Sequence, residues 1–106
     1  MEKVSTCHVD KTLHVIGGKW KLVILWHLSQ GTLRFSELEK RISRITQKML
    51  AQSLRELERD SLVTRHVYAV IPPKVEYSIT KNGRALGTIL KGLDEWGESL
   101  REVKKD

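Results

Sequence analysis

Residues 36–60 constrain the fold more than any other stretch. Ser36-Glu37-Leu38-Glu39 has the form of a capping box, with Ser36 as N-cap and Glu39 at the third helical position, opening a helix that runs to about Ile42. Ser43-Arg44-Ile45 then leaves only three residues before Thr46, a good N-cap for a further helix over 46–60 with Leu50, Leu54 and Leu57 on one face. Two short helices joined by such a turn form a helix-turn-helix. Directly behind them, residues 62–71 are rich in valine and aromatics, Pro72-Pro73 forces a turn, and residues 75–79 alternate again, which predicts a two-stranded hairpin. The fold class expected is α+β, mostly helical: a winged helix-turn-helix whose wing spans 63–79.

The flanks supply helices. Residues 10–16 read as a short helix closed by Gly17-Gly18, and residues 19–29 as a second with Trp20, Val23, Ile24 and Leu28 at helical spacing. Gly31 breaks the chain, and Leu33-Arg34-Phe35 reads as a short strand. Thr80 caps a long final helix in which Leu86, Ile89, Leu93, Trp96, Leu100 and Val103 recur at spacings of three and four, an a/d pattern. A chain of 106 residues forms one domain, taken as 1–106, with no room for a separate catalytic unit, and its core cannot cover the whole of that stripe. The stripe is therefore expected to be a homodimer interface.

Charge adds a partner. Lys plus Arg total 19 against 13 Asp plus Glu, a net charge of +6. Between 40 and 55 there are five basic residues and no acid, and 61–75 again lacks acids, whereas 75–106 holds six of each sign. The excess in the middle of the chain suits a polyanion, although a solvated basic face has the same composition. With Leu50, Leu54 and Leu57 committed to the core, the helix starting at Thr46 presents Gln47, Lys48, Ala51, Gln52 and Arg55 outward. Gln can pair with adenine and Arg or Lys with guanine, each good pair contributing about 1 to 3 kcal/mol of discrimination. In the hairpin, Arg65, His66, Tyr68 and Lys74 are placed to reach the backbone or minor groove, and Tyr68 suits core packing equally well.

These stretches also carry a resemblance. Ile16-Gly17-Gly18-Lys19-Trp20-Lys21, Phe35-Ser36-Glu37-Leu38, Thr46-Gln47-Lys48-Met49-Leu50, Leu54-Arg55-Glu56-Leu57-Glu58-Arg59-Asp60 and Pro72-Pro73-Lys74-Val75-Glu76-Tyr77-Ser78-Ile79-Thr80 occur in order over almost the whole chain. Together they resemble the HxlR family of winged-helix regulators, relatives of the MarR-type repressors. The resemblance implies a dimeric transcriptional regulator whose terminal helices make the interface and whose recognition helices enter successive major grooves of an inverted-repeat operator in double-stranded DNA. The DNA-contacting set expected is Ser36, Arg44, Thr46, Gln47, Lys48, Gln52, Arg55, Arg65 and Lys74. Two departures stand out. Ser61 occupies the place where the family usually has a glycine in left-handed conformation, which predicts mild strain, and Thr46 replaces a frequent serine, both being N-cap residues.

Cys7 is the single cysteine, so no intramolecular disulfide can form and any disulfide would join two molecules, which fits the reducing compartment of a cytoplasmic protein. It precedes the first helix, with His8, Lys3 and Lys11 nearby, and both a helix N-terminus and cations favour thiolate. Some relatives sense electrophiles or oxidants with a cysteine at this place, which makes Cys7 a redox-sensing candidate beside the plainer role of a packing residue. Cys7, His8, Asp10 and His14 lie close in sequence but point in different directions, so no metal site is expected, and no cofactor. Trp20, Trp26 and Trp96 at helical spacing read as core and interface residues while leaving room for a small-molecule effector. No catalytic triad, carboxylate pair or phosphate loop is recognisable, which argues against an enzyme. No apolar run is long enough for a membrane helix and no signal-peptide pattern opens the chain. A protein-interaction module on the same fold, without sequence-specific DNA binding, is the alternative that composition leaves open.

Overall fold

The computed structural model describes residues 7–100. Cys7 is the N-cap of α1 (His8–Ile16), which starts two residues before the expected Asp10 and buries only Ile16. The helix stops at Gly17-Gly18 for two separate reasons. A Cβ on Gly17 would run into the Leu13 carbonyl, and Gly18 has φ 94°. Both glycines are therefore needed.

The second helix, α2 (Lys21–Ser29), begins after Trp20 rather than at Lys19 and buries Ile24, Leu25 and Leu28. It is the central element, packing against α3, α4, β3 and α6. β1 (Leu33–Arg34) is followed without a break by α3 (Phe35–Arg41). This corrects the expected start of α3. The N-cap is Arg34, and Glu37 rather than Glu39 closes back onto the Arg34 N–H at 2.8 Å. Sheet pairing causes the shift, because β1 pairs with β3 through Leu33 and Arg34, and the chain leaves the sheet at that point. Phe35 thus packs into the core as the first helical residue rather than the last strand residue.

α4 (Gln47–Arg59) is capped as expected, Thr46 Oγ1 accepting from the Met49 N–H at 3.0 Å. Its inner face is Leu50, Ser53, Leu54 and Leu57. The helix ends in a Schellman motif. The Ser61 N–H donates to the Glu58 carbonyl at 3.1 Å, and the Leu62 N–H to the Leu57 carbonyl at 2.9 Å. Ser61 sits in the left-handed region with φ 61°, so the strain read from the missing glycine is present.

β2 (Val63–Tyr68) and β3 (Lys74–Ile79) form the hairpin, shorter at its outer end than 62–71 suggested. The sheet has three antiparallel strands in the order β1-β3-β2, not two, because the pair of residues in β1 adds to the far edge of β3. The last segment is also not one long helix. Thr80 caps a single turn, α5 (Lys81–Arg84), and after Ala85 and Leu86 a separate α6 (Gly87–Glu98) follows. Gly83 lets α5 lie on the sheet, since a Cβ there would approach the Leu62 carbonyl to 2.5 Å and the Ile79 side chain to 2.7 Å.

Breaking the helix splits the heptad stripe between two environments. Leu86 packs against the core beside Leu90, which is 3% exposed and was not part of the stripe. Ile89, Leu93 and Trp96 point outward, at 52%, 47% and 65% exposure. Leu100 is half-buried in the turn after α6, and Val103 lies outside the described residues.

Candidate nucleic-acid interface

Helices α3 and α4 are joined by residues 42–46, in which Ile42 and Ile45 are buried and Arg44 has φ 71°. The buried isoleucines fix the turn to the core, and the left-handed Arg44 reverses the chain between them. Arg44 therefore projects into solvent beside the start of α4. Thr46 is exposed, with its oxygen already accepting from Met49. From there the helical period separates two faces of α4. Gln47, Lys48, Gln52 and Arg55 are all exposed on the face opposite Leu50, Leu54 and Leu57. Ser36, the second residue of α3, is also exposed. The first turn of α4 contains no acid, so the positive end of its dipole is left uncompensated within the helix.

The wing residues do not act as one group. Register pairs Arg65 with Tyr77 and, on the next position, His66 with Glu76 and Tyr68 with Lys74. Arg65 therefore lies on the α4 side of the hairpin and Lys74 on the other. On the α4 side, Arg55, Glu58, Arg65 and Tyr77 line a groove of about 280 Å³ with Ala51 and Leu54 at its floor. Arg65 Nε stands 3.9 Å from Glu58 Oε1. Burial pushes the Tyr77 hydroxyl above its usual range, opposed by Arg65 and Arg55, so the group is a donor at neutral pH. Sequence reading missed Glu58 and Tyr77 as parts of this surface, since the strand register is needed to place Tyr77 beside Arg65, and the packing of β2 on α4 to bring Arg65 to Glu58.

On the other face Lys74 is held by its neighbours. Its Nζ lies 3.6 Å from Glu76 Oε2 and 4.7 Å above the Tyr68 ring, and the Tyr68 hydroxyl donates to Glu76 Oε1 at 2.9 Å. Tyr68 thus belongs to a surface cluster, with His66 edge-on to its ring at 4.4 Å, and the hydrogen bond to Glu76 raises its hydroxyl pKa.

Elsewhere, Cys7 is exposed at the N-cap of α1. Val9 and Leu13 of the same helix are 65% and 54% exposed. Trp26 does not stand in an enclosed chamber but lines an open apolar groove of about 210 Å³ between α2 and α6, with Leu22, Val23, Leu90 and Leu93. Among the described residues, no group of three or more His, Cys, Asp or Glu is arranged to hold a metal ion, and no helix is long and apolar enough to cross a membrane.

Comparison with known proteins settles the family. The HxlR-like helix-turn-helix profile matches residues 15–105. The chain belongs to the HxlR-like helix-turn-helix family. It is 56% identical over 96 residues to YtcD of Bacillus subtilis, named as an uncharacterized HTH-type transcriptional regulator, covering 91% of this chain and 76% of that protein. Solved structures of the redox regulator HypR superpose with TM-scores of 0.84 in the oxidised form and 0.85 in the reduced form, at 52% and 50% identity. These span 88% and 92% of this chain and 96% of each HypR chain. A transcriptional regulator of the MarR family from Enterococcus faecalis V583 matches with a TM-score of 0.78 at 40% identity, over 98% of this chain and 94% of that one. The family match begins at Val15, after Cys7, so membership itself says nothing about the cysteine.

Proposed function

We propose that this HxlR-family protein is a homodimeric transcriptional regulator that binds an inverted-repeat operator. The observation that carries the reading is the division of α4, whose inner leucines are buried while Gln47, Lys48, Gln52 and Arg55 stand exposed together on a helix whose first turn holds no acid. Placed in the major groove, those four side chains read base edges, and Ser36, Arg44 and Thr46 meet the flanking phosphates. Arg65 reaches the backbone from the α4 side of the wing, and Lys74 adds a weaker contact because Glu76 already offsets its charge.

Dimerisation follows from the apolar surface that the core leaves uncovered. Ile89, Leu93 and Trp96 on α6, and Val9 and Leu13 on α1, recur at spacings of three and four within each helix, which makes each set an exposed apolar face rather than scattered surface residues. To occupy successive major grooves, a twofold axis through these faces must set the two α4 helices about 34 Å apart. Cys7 is the signal input. It is exposed at the end of a helix that contributes to that surface, and structural relatives named as the redox regulator HypR exist in oxidised and reduced forms. Oxidation or adduct formation there shifts the helices and so the spacing of α4.

Sedimentation and DNA titration of the wild type and of Leu93→Glu test the assembly. A wild-type dimer at micromolar concentration, and a variant that is monomeric with operator affinity greatly weakened, are expected. A monomeric wild type that binds operator fully refutes the dimer.

A further inference from the structure

Two of the motifs quoted above contain residues that the proposed interface leaves unused: Lys21 at the start of α2 and Glu56 within α4. They meet in the fold. Lys21 Nζ lies 2.9 Å from Glu56 Oε1 and donates to the Val15 carbonyl in α1 at 3.1 Å. The second carboxylate oxygen, Glu56 Oε2, accepts from Gln52 Nε2 at 3.2 Å. The Lys21 side chain is 12% exposed and that of Glu56 32%, so this pair is more sheltered from salt than a pair in open solvent.

The consequence falls on Gln52, one helical turn before Glu56. A glutamine amide is ambiguous, because rotation by half a turn exchanges its donor and acceptor ends. Glu56 removes the ambiguity. The hydrogen bond from Lys21, with a further one from Gln52, holds the Glu56 carboxyl below its usual range, so at neutral pH it is ionised and accepts only. The amide nitrogen of Gln52 must face it and the amide oxygen must face away. One N–H and the carbonyl oxygen then remain for DNA, which is the donor and acceptor pair that matches adenine N7 and N6.

We propose that Glu56, itself held by Lys21 and the Val15 carbonyl, is a positioning residue for base reading that fixes Gln52 in its adenine-reading orientation. The proposal rests on the DNA-binding function above. It gives Lys21 and Glu56 a role in base reading beside the link they make between α1, α2 and α4. Fixing the amide before binding also removes part of the rotamer entropy otherwise lost on contact.

The test is selection from a randomised double-stranded DNA library, followed by titration of the selected duplex and a panel of its single-base substitutions. Gln52→Ala loses its preference at one base pair per half-site, by roughly tenfold. Glu56→Ala loses most of the preference at that same pair and keeps it at the others, and the double variant is no worse than Gln52→Ala. Glu56→Gln, which keeps size but presents either amide end, gives a similar site-specific loss, and because the preference at the other base pairs stays at the wild-type level, a fall in melting temperature from the broken Lys21 pair does not account for it. Lys21→Met shows a partial loss at the same pair that Lys21→Arg restores. Wild-type preference at every base pair in both Glu56 variants, or a uniform loss at all pairs, overturns the proposal while leaving DNA reading by Gln52 intact. A wild-type protein that selects no sequence overturns the underlying function instead.

Discussion

Replacing Ser61 with glycine is expected to raise stability, although it deletes a side chain and adds no contact. Ser61 holds φ 61°, where a β-carbon crowds the following carbonyl at a cost of about 1 to 2 kcal/mol. Its backbone makes two hydrogen bonds. Its N–H donates to Glu58, and its carbonyl accepts from Thr80 Oγ1 at 2.7 Å, so glycine keeps both. Against the relief stands the larger conformational freedom of glycine in the unfolded chain, roughly 0.5 to 1 kcal/mol. The balance lies between about 0 and 1.5 kcal/mol in favour of glycine, with a central gain of about 0.75 kcal/mol, or roughly 3 to 6 °C in Tm for a domain of this size. Calorimetry at one fixed protein concentration reads it, since association shifts Tm by mass action. Gly18→Ala is the matched control. Gly18 has φ 94° and nothing within 4 Å of an added Cβ, so only backbone strain acts and Tm falls. A Ser61→Gly protein that melts at or below the wild type refutes the reasoning.

Lys48→Ala lowers the log-log salt slope of operator binding by about 1, whereas Lys74→Ala lowers it less, because Glu76 already neutralises Lys74; equal slopes in both variants contradict the wing assignment. Diamide weakens operator binding by the wild type and leaves Cys7→Ser unaffected, as read by titration with and without oxidant; equal affinity in all four conditions removes Cys7 as the signal input. Burial, with Arg41 nearby, holds the His27 pKa below the ordinary histidine value, so the unfolded chain binds more protons. The stabilising contribution is complete above the unfolded value of about pH 6.5 and is lost as pH falls from there through the lowered folded value. Denaturant titrations from pH 7.5 to 5 should show this loss, and His27→Gln should flatten it.

The helix-turn-helix was legible because its signals are local. Thr46 as cap, the leucine period of α4, Pro72-Pro73 and the missing glycine at Ser61 each act within a few residues, and each is found in place. Reading failed where a distant partner decides. Ser36 is a better cap than Arg34 by propensity, yet pairing of Arg34 with Glu76 in the sheet moves the start of α3. In the last segment, the a/d spacing read as a single stripe along one long helix, which passed over Leu90 and did not show which face the core claims. Leu86 and Leu90 go inward, and Ile89, Leu93 and Trp96 go outward. The break at Ala85-Leu86 was hidden because an a/d count passes over it. At the site, the exposed set on α4 followed from its leucines, whereas the opposite faces of Arg65 and Lys74 required the register, and Lys21–Glu56 joins residues on separate helices.

Titration of a selected operator duplex and of a shuffled duplex of equal length and composition, each over a range of salt concentrations, tests sequence-specific DNA binding most directly. Affinity for the operator is expected to be higher by about a thousandfold or more and to fall steeply with salt. Equal affinity for the two duplexes would contradict it and leave the basic face of α4 as a surface for a protein partner.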